Sequence, residues 1–270
     1  MDFRKEYRVE PGKGFKIERA DPGDTAGYKS KEEAREKLAE NRAKLAELQH
    51  KLFAEGKQAL LVVLQAMDAG GKDGTIRHVM RGVNPQGCRV TSFRAPSDEE
   101  LAHDFLWRIH KAVPAKGMIG IFNRSHYEDV LVVRVHDIVP KKVWSRRYDM
   151  INDFEKMLGR NGVTIIKFYL HISKQEQKAR FQDRIEKPEK HWKVNPKDFD
   201  ERKHWDDYMQ AFEDAIEKCS TRYAPWYVIP SDKKWFRNLA ISRIIADTLE
   251  DMDLRFPEPS CDVTELVIPD

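Results

Sequence analysis

The sequence is poor in cysteine. Its 270 residues include three cysteines, Cys88, Cys219 and Cys261, which lie far apart and are odd in number. Their spacing matches no metal-binding pattern, and an odd, scattered set argues against a disulfide framework. We therefore expect a protein of a reducing, cytoplasmic compartment.

The chain also lacks long apolar runs and a strong excess of charge. No apolar run is long enough to span a bilayer, and residues 1–15 have no apolar core of a signal peptide. The net charge is +3, which does not by itself indicate nucleic-acid binding. Charged residues make up 34% and hydrophobic residues 40% of the chain, a globular composition. We expect neither a membrane nor a nucleic acid as partner.

Short apolar runs alternate with helical patterns along most of the chain. Such runs are typical of strands that are buried on both faces. The predicted strands are residues 59–64, 89–93, 118–122, 163–170 and 226–229. The predicted helices are residues 30–55, 75–83, 98–112, 141–158, 174–185, 204–218 and 235–252. This order predicts an α/β fold with three layers, α/β/α, around a parallel five-stranded sheet.

Three segments fall outside this pattern. Residues 1–30 mix glycine, proline and charge without a period, which predicts an irregular N-terminal arm. The core domain is predicted over residues 31–255, and residues 256–270 are predicted to form a C-terminal tail. Residues 186–202 hold two prolines among many charges, and we expect an irregular insert there, at the tip of a helical pair.

A phosphate-binding loop is predicted where the first strand leads into a helix. Small residues let a backbone bend around phosphates, and the free amides of a helix start favour negative charge. Lys72 follows two glycines, at the position from which a lysine reaches the phosphates. The residues predicted to contact phosphate here are Ala69, Gly70, Gly71, Lys72, Asp73, Gly74 and Thr75.

This loop departs from the G-x-x-x-x-G-K-[ST] pattern at two positions. Ala66 stands where the first glycine belongs, and Asp73 stands where the pattern has the Ser or Thr that binds Mg²⁺. A hard cation that bridges phosphates prefers carboxylate oxygen, so Asp68 is the candidate metal ligand. Asp68 and Lys72 are also candidate catalytic residues. The alternative is a turn that binds nothing, but such a turn has no need of Lys72 and Asp68.

Polar residues also follow the third strand, in the segment NRSHYED at 123–129. Arg124 is a candidate catalytic residue, because an arginine there can neutralise charge on a transferring phosphoryl group. Glu128 is assigned to the nucleotide and is a second candidate metal ligand. For Ser125, His126 and Asp129, an ordinary polar turn is an equally good interpretation.

Two further residues are assigned to the nucleotide. Arg94 ends the second strand, at the carboxyl edge where ligands of open α/β sheets bind, and Asn84 is assigned with it. A surface ion pair of Arg94 with Glu99 or Glu100 is the alternative. We expect surface positions, not ligand roles, for the histidines His103, His110 and His126.

A basic segment begins in the helix predicted at 174–185. Arg180 and Arg184 lie one helical turn apart on the same face, and Lys193 follows with other lysines. An arginine-bearing lid excludes water and adds positive charge during phosphoryl transfer, so we predict a lid at about residues 178–205 that binds phosphate. The alternative is a solvated charged surface.

Five segments, taken together, resemble the motifs of the polyphosphate kinase 2 family. They are MDAGGKDG at 67–74, FNRSHY at 122–127, EKPEKHWK at 186–193, WDDY at 205–208 and APWYV at 224–228. The resemblance covers residues 30–249, in order. It implies a P-loop kinase core related to thymidylate kinase, with a helical lid. Asp68 and Lys72 match the family's first phosphate motif, Arg124 its second, and Arg180, Arg184 and Lys193 its lid.

The resemblance also implies an activity. Members transfer a terminal phosphoryl group between inorganic polyphosphate and a nucleotide with Mg²⁺ or Mn²⁺, and commonly form dimers or tetramers. Many carry Asp where this chain has Asn123, and the form with Asn is similar to the subgroup that accepts both nucleoside mono- and diphosphates. Two other functions stay open: an ATP-dependent nucleotide kinase, and a non-catalytic module that binds polyphosphate or nucleic acid.

Overall fold

A parallel sheet of five strands forms the centre of the molecule. The structure, a computed structural model, describes residues 2–269, with the backbone alone at residue 265. The strands run in the order β2-β3-β1-β4-β5, and each neighbouring pair is parallel. They are β1 (Ala59–Gln65), β2 (Cys88–Ser92), β3 (Ile119–Asn123), β4 (Val163–His171) and β5 (Trp226–Pro230). The predicted five-stranded parallel sheet is confirmed.

The helices begin and end at residues that suit helix termini. The Ser30 hydroxyl accepts a bond from the Glu33 amide, and Gly56 ends the same helix in the left-handed region. The helices are α1 (Phe3–Tyr7), α2 (Lys31–Glu55), α3 (Lys72–Val79), α4 (Asp98–Leu101), α5 (Trp107–Ala112), α6 (Val132–Val135), α7 (Lys141–Arg160), α8 (Lys174–Glu186), α9 (Pro196–Glu201), α10 (Trp205–Cys219) and α11 (Lys234–Asp251). Over the described residues, each helix is too short or too polar to cross a membrane.

Two hydrophobic cores lie on opposite faces of the sheet. Successive side chains of a strand point to opposite faces. Leu60, Val62 and Leu64 accordingly pack against α2 and α11 on one face. Leu61 and Val63 belong to the core on the other face, with α5, α7 and α10. The predicted three-layer arrangement is therefore confirmed, and the loops at the carboxyl ends of the strands stand on a sheet that is covered on both sides.

The helix predicted over 98–112 is two helices, α4 and α5. Asp104 lies between them, where its side-chain carboxylate accepts a hydrogen bond from the Leu106 amide at 2.9 Å and its carbonyl accepts one from the Trp107 amide at 3.1 Å. This local turn competes with helical hydrogen bonding and breaks the helix. The helix predicted from residue 75 begins earlier, at Lys72, because the glycines before it already turn the backbone.

The N-terminal segment is more ordered than the predicted irregular arm. Phe3 and Tyr7 lie in α1, both are buried, and their rings stand 5.8 and 6.0 Å from the ring of Phe236 in α11. Arg8 then forms an antiparallel bridge with Tyr227 at the edge strand β5. A single-turn helix of five residues has too few positions to show a period, so the pattern missed it.

The segment predicted as an irregular insert consists of short helical pieces. A 3₁₀ helix spans Pro188–Lys193, α9 spans Pro196–Glu201 and a second 3₁₀ helix spans Arg202–His204. The side chain of Asn195 caps α9 by accepting a bond from the Lys197 amide. Residues of this segment, of α8 and of the loop after β1 line the same two cavities, which are described below. The segment and α8 therefore lie opposite that loop, at the carboxyl edge of the sheet.

Candidate active site

The loop between β1 and α3 has a backbone shaped by residues with positive φ. Ala69 has φ of 59° and Gly71 has φ of 109°, and the Gly70 amide donates to the Met67 carbonyl at 3.0 Å. The tight turn brings the chain back under the start of α3, whose first-turn amides have no acceptor within the helix. These amides and the helix dipole favour an anion such as a phosphate at this point.

Gly71 and Gly70 have no room for a side chain. A Cβ on Gly71 would lie 1.8 Å from Nη1 of Arg237, and a Cβ on Gly70 would lie 2.5 Å from the Cβ of Ala66. Gly71 also has a φ that L residues rarely adopt. The loop can therefore come this close to the arginine only because residue 71 is glycine.

Gly71→Ala is expected to lower the free energy of unfolding by about 1–3 kcal/mol, because of backbone strain and the displaced arginine. Activity should fall with it. The matched control is Gly159→Ala in α7, where a Cβ would meet no atom within 4 Å. This control should keep its stability or gain a little, because alanine is the better helix former, by about 1 kcal/mol in a helix interior and by less in the last turn. Thermal unfolding of both variants measures the difference; equal stability of the two would contradict the packing argument.

Lys72 is the first residue of α3, and its side chain bends back over the loop. Its Nζ donates to the Ala66 carbonyl at 2.9 Å. Burial, followed by the nearby Arg124 cation, lowers the pKa of Lys72, while Asp68 acts in the opposite direction. The ammonium is therefore poorly compensated by the protein, and an anionic ligand beside it would restore the balance.

Arg124 follows β3 in an unusual backbone conformation. Its φ is 62°, and its amide donates to the Leu64 carbonyl of the neighbouring strand at 3.1 Å. This conformation directs the side chain toward Asp68, and Nη2 donates to Oδ1 of Asp68 at 2.9 Å. Burial would lower the pKa of Arg124, but Glu128 and Asp68 together raise it. Strained residues of this kind cluster at functional sites.

Asn123 and Asp73 meet across the site. Nδ2 of Asn123 donates to Oδ1 of Asp73 at 2.6 Å. The register of β3 beside β1 places Asn123 opposite Leu64, just before the phosphate-binding loop. An aspartate at position 123 would set two carboxylates against each other here, whereas the asparagine amide acts as a donor. The two departures from the common motifs, Asn123 and Asp73, are thus each other's partners.

The three residues assigned to the nucleotide lie in different places. Arg94 lines the same cavity as Asp68, and the ion pair with Glu100 is made by Arg108 at 3.3 Å. Glu128 lies close enough to influence both Lys72 and Arg124 electrostatically. Asn84 is not brought to the site: its side chain caps the Pro85–Gly87 turn, which precedes β2 at the amino edge of the sheet. Phosphate-binding loops sit at the opposite, carboxyl edge.

The two lid arginines differ in their environment. Arg180 is buried, and its Nη1 donates to the carbonyls of Ala69 and Gly70 at 2.9 and 3.0 Å. Arg180 therefore stabilises the loop through hydrogen bonds to its backbone, whereas the sequence predicts a lid residue that binds phosphate. Arg184, one turn later, is partly exposed and pairs with Asp198 at 3.3 Å.

Two cavities meet at the phosphate-binding loop. The first, of about 550 Å³, contains three carboxylates beside five cations, and we name it the mixed-charge cavity. Its lining residues are Asp68, Ala69, Gly70, Gly71, Lys72, Asp73, Gly74, Ser92, Phe93, Arg94, Asn123, Arg124, Arg184, Trp192, Lys193, Asn195 and Asp198. Carboxylates and cations side by side suit a phosphate group that binds together with a metal ion.

The second cavity, of about 670 Å³, is strongly basic, and we name it the basic cavity. Two carboxylates, Glu32 and Asp183, stand among eleven lysines and arginines. These cations are Lys31, Arg35, Arg42, Arg77, Arg81, Arg180, Arg184, Lys190, Lys193, Lys234 and Arg237. Ala69, Gly71 and Gly74 line both cavities, so the loop forms the wall between them. Such an excess of positive charge attracts a polyanion.

Behind Arg124 lies a buried ionic network that the sequence patterns did not indicate. Lys167 of β4 is fully buried, and its Nζ donates to the Tyr127 hydroxyl at 2.8 Å and contacts Glu155 of α7. Oε1 of Glu155 bonds the His126 ring at 3.1 Å and the Tyr127 hydroxyl at 3.0 Å. His126 is therefore a buried residue, and the prediction of a surface position is wrong. The network fixes the segment that follows Arg124 to the sheet.

Two other residues of the site were missed. Asp198 of α9 faces Asp68, and burial followed by that neighbouring carboxylate raises its pKa. Arg237 of α11 lies against Gly71. Neither stands in a recognisable motif, and both come from segments far from the loop in sequence. The sole sequence signal for Asp198 was its place in the charged insert. Arg237 gave no signal, because an arginine in a helix is usually an ordinary surface residue.

The fold and the site together define a class of protein. A phosphate-binding loop follows the central strand of a covered parallel sheet, and a lysine, an arginine and a carboxylate converge on it. This combination is that of a P-loop phosphotransferase. Enzymes of this class generally use a divalent metal ion to neutralise phosphate charge.

Comparisons with known proteins identify the family. The chain matches the family Polyphosphate kinase 2 (PPK2) over residues 28–257. It is 53% identical to an AMP/ADP-polyphosphate phosphotransferase of Meiothermus ruber, over 98% of this chain and 99% of that protein. It is 45% identical to an ADP-polyphosphate phosphotransferase of Rhodopseudomonas palustris, over 94% and 92%. The chain therefore belongs to the polyphosphate kinase 2 family, as its motifs predicted.

A solved structure agrees with this assignment. The crystal structure of polyphosphate kinase 2 from Arthrobacter aurescens TC1 superposes with a TM-score of 0.94 at 48% identity, covering 98% of this chain and 94% of that one. A TM-score this high over nearly the whole of both chains means that the lid segment and the N-terminal segment are shared as well as the core. The predicted enzyme class, a phosphotransferase, is confirmed with the family.

Proposed function

We propose that this protein transfers the terminal phosphoryl group of inorganic polyphosphate to a nucleoside mono- or diphosphate, such as AMP, ADP, GMP or GDP. An oxygen of the acceptor's terminal phosphate forms a new P–O bond to the transferred phosphorus. The P–O bond to the rest of the polyphosphate breaks, and the polyphosphate leaves one unit shorter. When the acceptor is a diphosphate or a monophosphate, one phosphoanhydride bond breaks and another forms, so the reaction is reversible.

The observation that carries this proposal is the charge contrast between the two cavities. Eleven cations against two carboxylates, extending from the loop to α2, exceed what one nucleoside triphosphate requires. A chain of phosphates, with a negative charge on each unit, can occupy the whole basic cavity. The mixed-charge cavity then receives the acceptor nucleotide. An ATP-dependent kinase would have no use for the distant cations Lys31, Arg35 and Arg42.

Catalysis in this arrangement comes from alignment and from neutralising charge. Lys72 and the first-turn amides of α3 hold the phosphate that is transferred, and Arg124 neutralises charge on its oxygens in the transition state. Arg94 grips the acceptor phosphate. The attacking phosphate oxygen is already anionic near neutral pH, so no strong base is required. Arg184 and Lys193 line both cavities, and closing the segment at about 178–205 over the loop would exclude water.

The residues of the site fit a magnesium or manganese ion. Asp68 offers a partly exposed carboxylate beside the loop, and Glu128 is a second oxygen donor nearby. Within the described residues, no group of three or more His, Cys, Asp and Glu side chains could hold an ion without help. Mg²⁺ is usually held by one or two carboxylates and by substrate phosphates, which matches this donor set. When bound, the ion would screen the charge of the phosphate oxygens.

The face of the nucleobase has one exposed aromatic candidate partner among the described residues that line the mixed-charge cavity. Trp192 of the lid segment is 79% exposed, whereas Phe93, which follows β2, is 7% exposed and packs into the core. An aromatic ring stacks on any base, because every base has a π face. This arrangement supports an enzyme that tolerates several bases, and the relative named AMP/ADP-polyphosphate phosphotransferase supports acceptance of both mono- and diphosphates.

A dimeric or tetrameric assembly is also part of the proposal, and analytical sedimentation of the purified protein would measure it.

A donor exchange tests the proposal directly. The purified protein is incubated with Mg²⁺, long-chain polyphosphate and either AMP or ADP, and the nucleotides are separated. We expect ATP from ADP and also product from AMP, and no product after chelation of the metal. Activity with ATP as donor to AMP, and none with polyphosphate, would overturn the donor assignment. Binding of polyphosphate without any turnover would indicate the non-catalytic module instead.

A further inference from the structure

Arg237, in the first turns of α11, lies directly against the phosphate-binding loop. Its side chain is 2% exposed. Nη1 stands 1.8 Å from the position that a Cβ on Gly71 would occupy, and Nη2 stands 3.4 Å from the equivalent position on Gly74. Nε and Nη2 also donate to the side-chain oxygen of Asn238, at 3.2 and 2.9 Å. The guanidinium is thus held in a fixed orientation behind the loop.

This buried cation lacks a counter-charge in the part of the chain that the structure describes. No carboxylate among the side chains that the structure describes forms an ion pair with Arg237. Its charged neighbour is a second cation, Arg180, whose own Nε pairs with Glu176 at 2.8 Å. Burial and the nearness of Arg180 lower the pKa of Arg237 to about 9. A buried charge without a partner destabilises a folded protein, so its presence calls for an explanation.

A purely structural role does not explain the side chain. The one bond from Arg237 to the loop, from Nη1 to the Gly70 carbonyl, is long at 3.4 Å. The same carbonyl already accepts a shorter bond from Arg180, at 3.0 Å. Removing Arg237 would therefore leave that carbonyl satisfied. A hydrophobic residue of similar length would fill the space at a lower electrostatic cost.

We propose that Arg237 binds a phosphate group of the polyphosphate donor and that this anion supplies the missing counter-charge. Arg237 lines the basic cavity and not the mixed-charge cavity, which assigns it to the donor side of the loop. Its bonds to Asn238 and Gly70 leave part of its donor capacity unused. A guanidinium matches two phosphate oxygens at once, which gives stronger and more directional binding than a lysine. This inference rests on the proposed function.

Arg237→Met separates the two roles. Without donor, we expect its melting temperature to equal or exceed that of the wild type, because an uncompensated buried charge is removed. The stabilisation that tripolyphosphate gives the wild type should largely disappear, and KM for polyphosphate should rise about tenfold to a hundredfold, while KM for ADP stays unchanged. Arg237→Lys should have a KM for polyphosphate between those of the wild type and Arg237→Met. The lysine keeps the positive charge but lacks the guanidinium group that contacts two phosphate oxygens at once. Arg243→Met is the control, because Arg243 lies on the same helix and pairs with Asp247. It should change neither the KM for polyphosphate nor the stabilisation by tripolyphosphate.

The outcomes discriminate between the alternatives. An unchanged KM for polyphosphate and an unchanged tripolyphosphate stabilisation in Arg237→Met would overturn the inference, whatever happens to the melting temperature. Failure of both the Met and the Lys variants to fold would also overturn it, because the guanidinium would then be needed without a ligand. If the wild type itself neither uses polyphosphate nor is stabilised by tripolyphosphate, the proposed function fails and this inference with it.

Discussion

Lys72→Met is expected to lower kcat with polyphosphate and ADP by about 10²–10³-fold or more, while the protein stays folded. One charge-stabilising group at a transferring phosphoryl typically contributes about this much. The fold should tolerate the change, because burial and the Arg124 cation already disfavour the Lys72 ammonium in the free protein. Steady-state kinetics and thermal unfolding of the same preparation measure the two effects.

A second lysine provides the control for this experiment. Lys116 is exposed and lies away from both cavities, so Lys116→Met should keep the wild-type kcat. Lys72→Arg should recover part of the loss at most, because a guanidinium fork has a different reach and geometry from an ammonium. A Lys72→Met enzyme whose kcat lies within about a factor of ten of the wild type would mean that the loop does not act on the transferring phosphate.

Glu155→Leu is expected to lower the free energy of unfolding by about 3–5 kcal/mol, because it leaves the Lys167 ammonium buried without a carboxylate. Both side chains are essentially fully buried, at 1% and 0% exposure. The double variant Glu155→Leu with Lys167→Met should recover most of this loss, because replacing a buried pair by apolar residues is often neutral or stabilising. Denaturant unfolding of the wild type, both single variants and the double variant gives the coupling free energy between Glu155 and Lys167.

The same network has a consequence for pH. Burial alone would raise the pKa of Glu155, but Lys167 and His126 together hold it below its ordinary value of 4.5. A carboxyl with a lowered pKa in the fold contributes stability above its ordinary pKa, and this contribution is lost as the pH falls through the lowered value. The wild type should therefore lose stability below about pH 4.5 more steeply than the double variant. As a control, Glu47→Leu removes an exposed helical ion pair and should leave the unfolding midpoint unchanged.

Several features of this protein follow from local sequence alone. The buried strand at 59–64 and the glycines and lysine after it identify the phosphate-binding loop, because such a turn needs small residues and a cation within a few positions. The alternation of strands and helices predicts the parallel sheet, because parallel strands require crossover helices. Arg124 is likewise found from its place after the third strand. In each case the information lies within a short stretch of chain.

Other features depend on contacts between distant segments, and local patterns do not contain them. Arg180 stands in a motif of basic lid residues, yet the fold buries it and uses it to hold the loop. Asn84 has a polar side chain near the second strand, yet the strand direction puts it at the wrong edge of the sheet. His126 looks like a turn residue, yet Glu155, 29 positions later, draws it into a buried network.

The sequence by itself therefore determined the class of fold, the phosphate-binding loop and, through five motifs, the family. Only the tertiary structure decided which cations are free to meet a ligand and which are occupied within the protein. The physical reason is that the free energy of a charged side chain depends on its burial and on the charges around it. Burial and neighbouring charges fix whether an arginine such as Arg237 is a structural tie or an unpaired cation, and those surroundings come from strands, helices and loops that lie far apart in the chain.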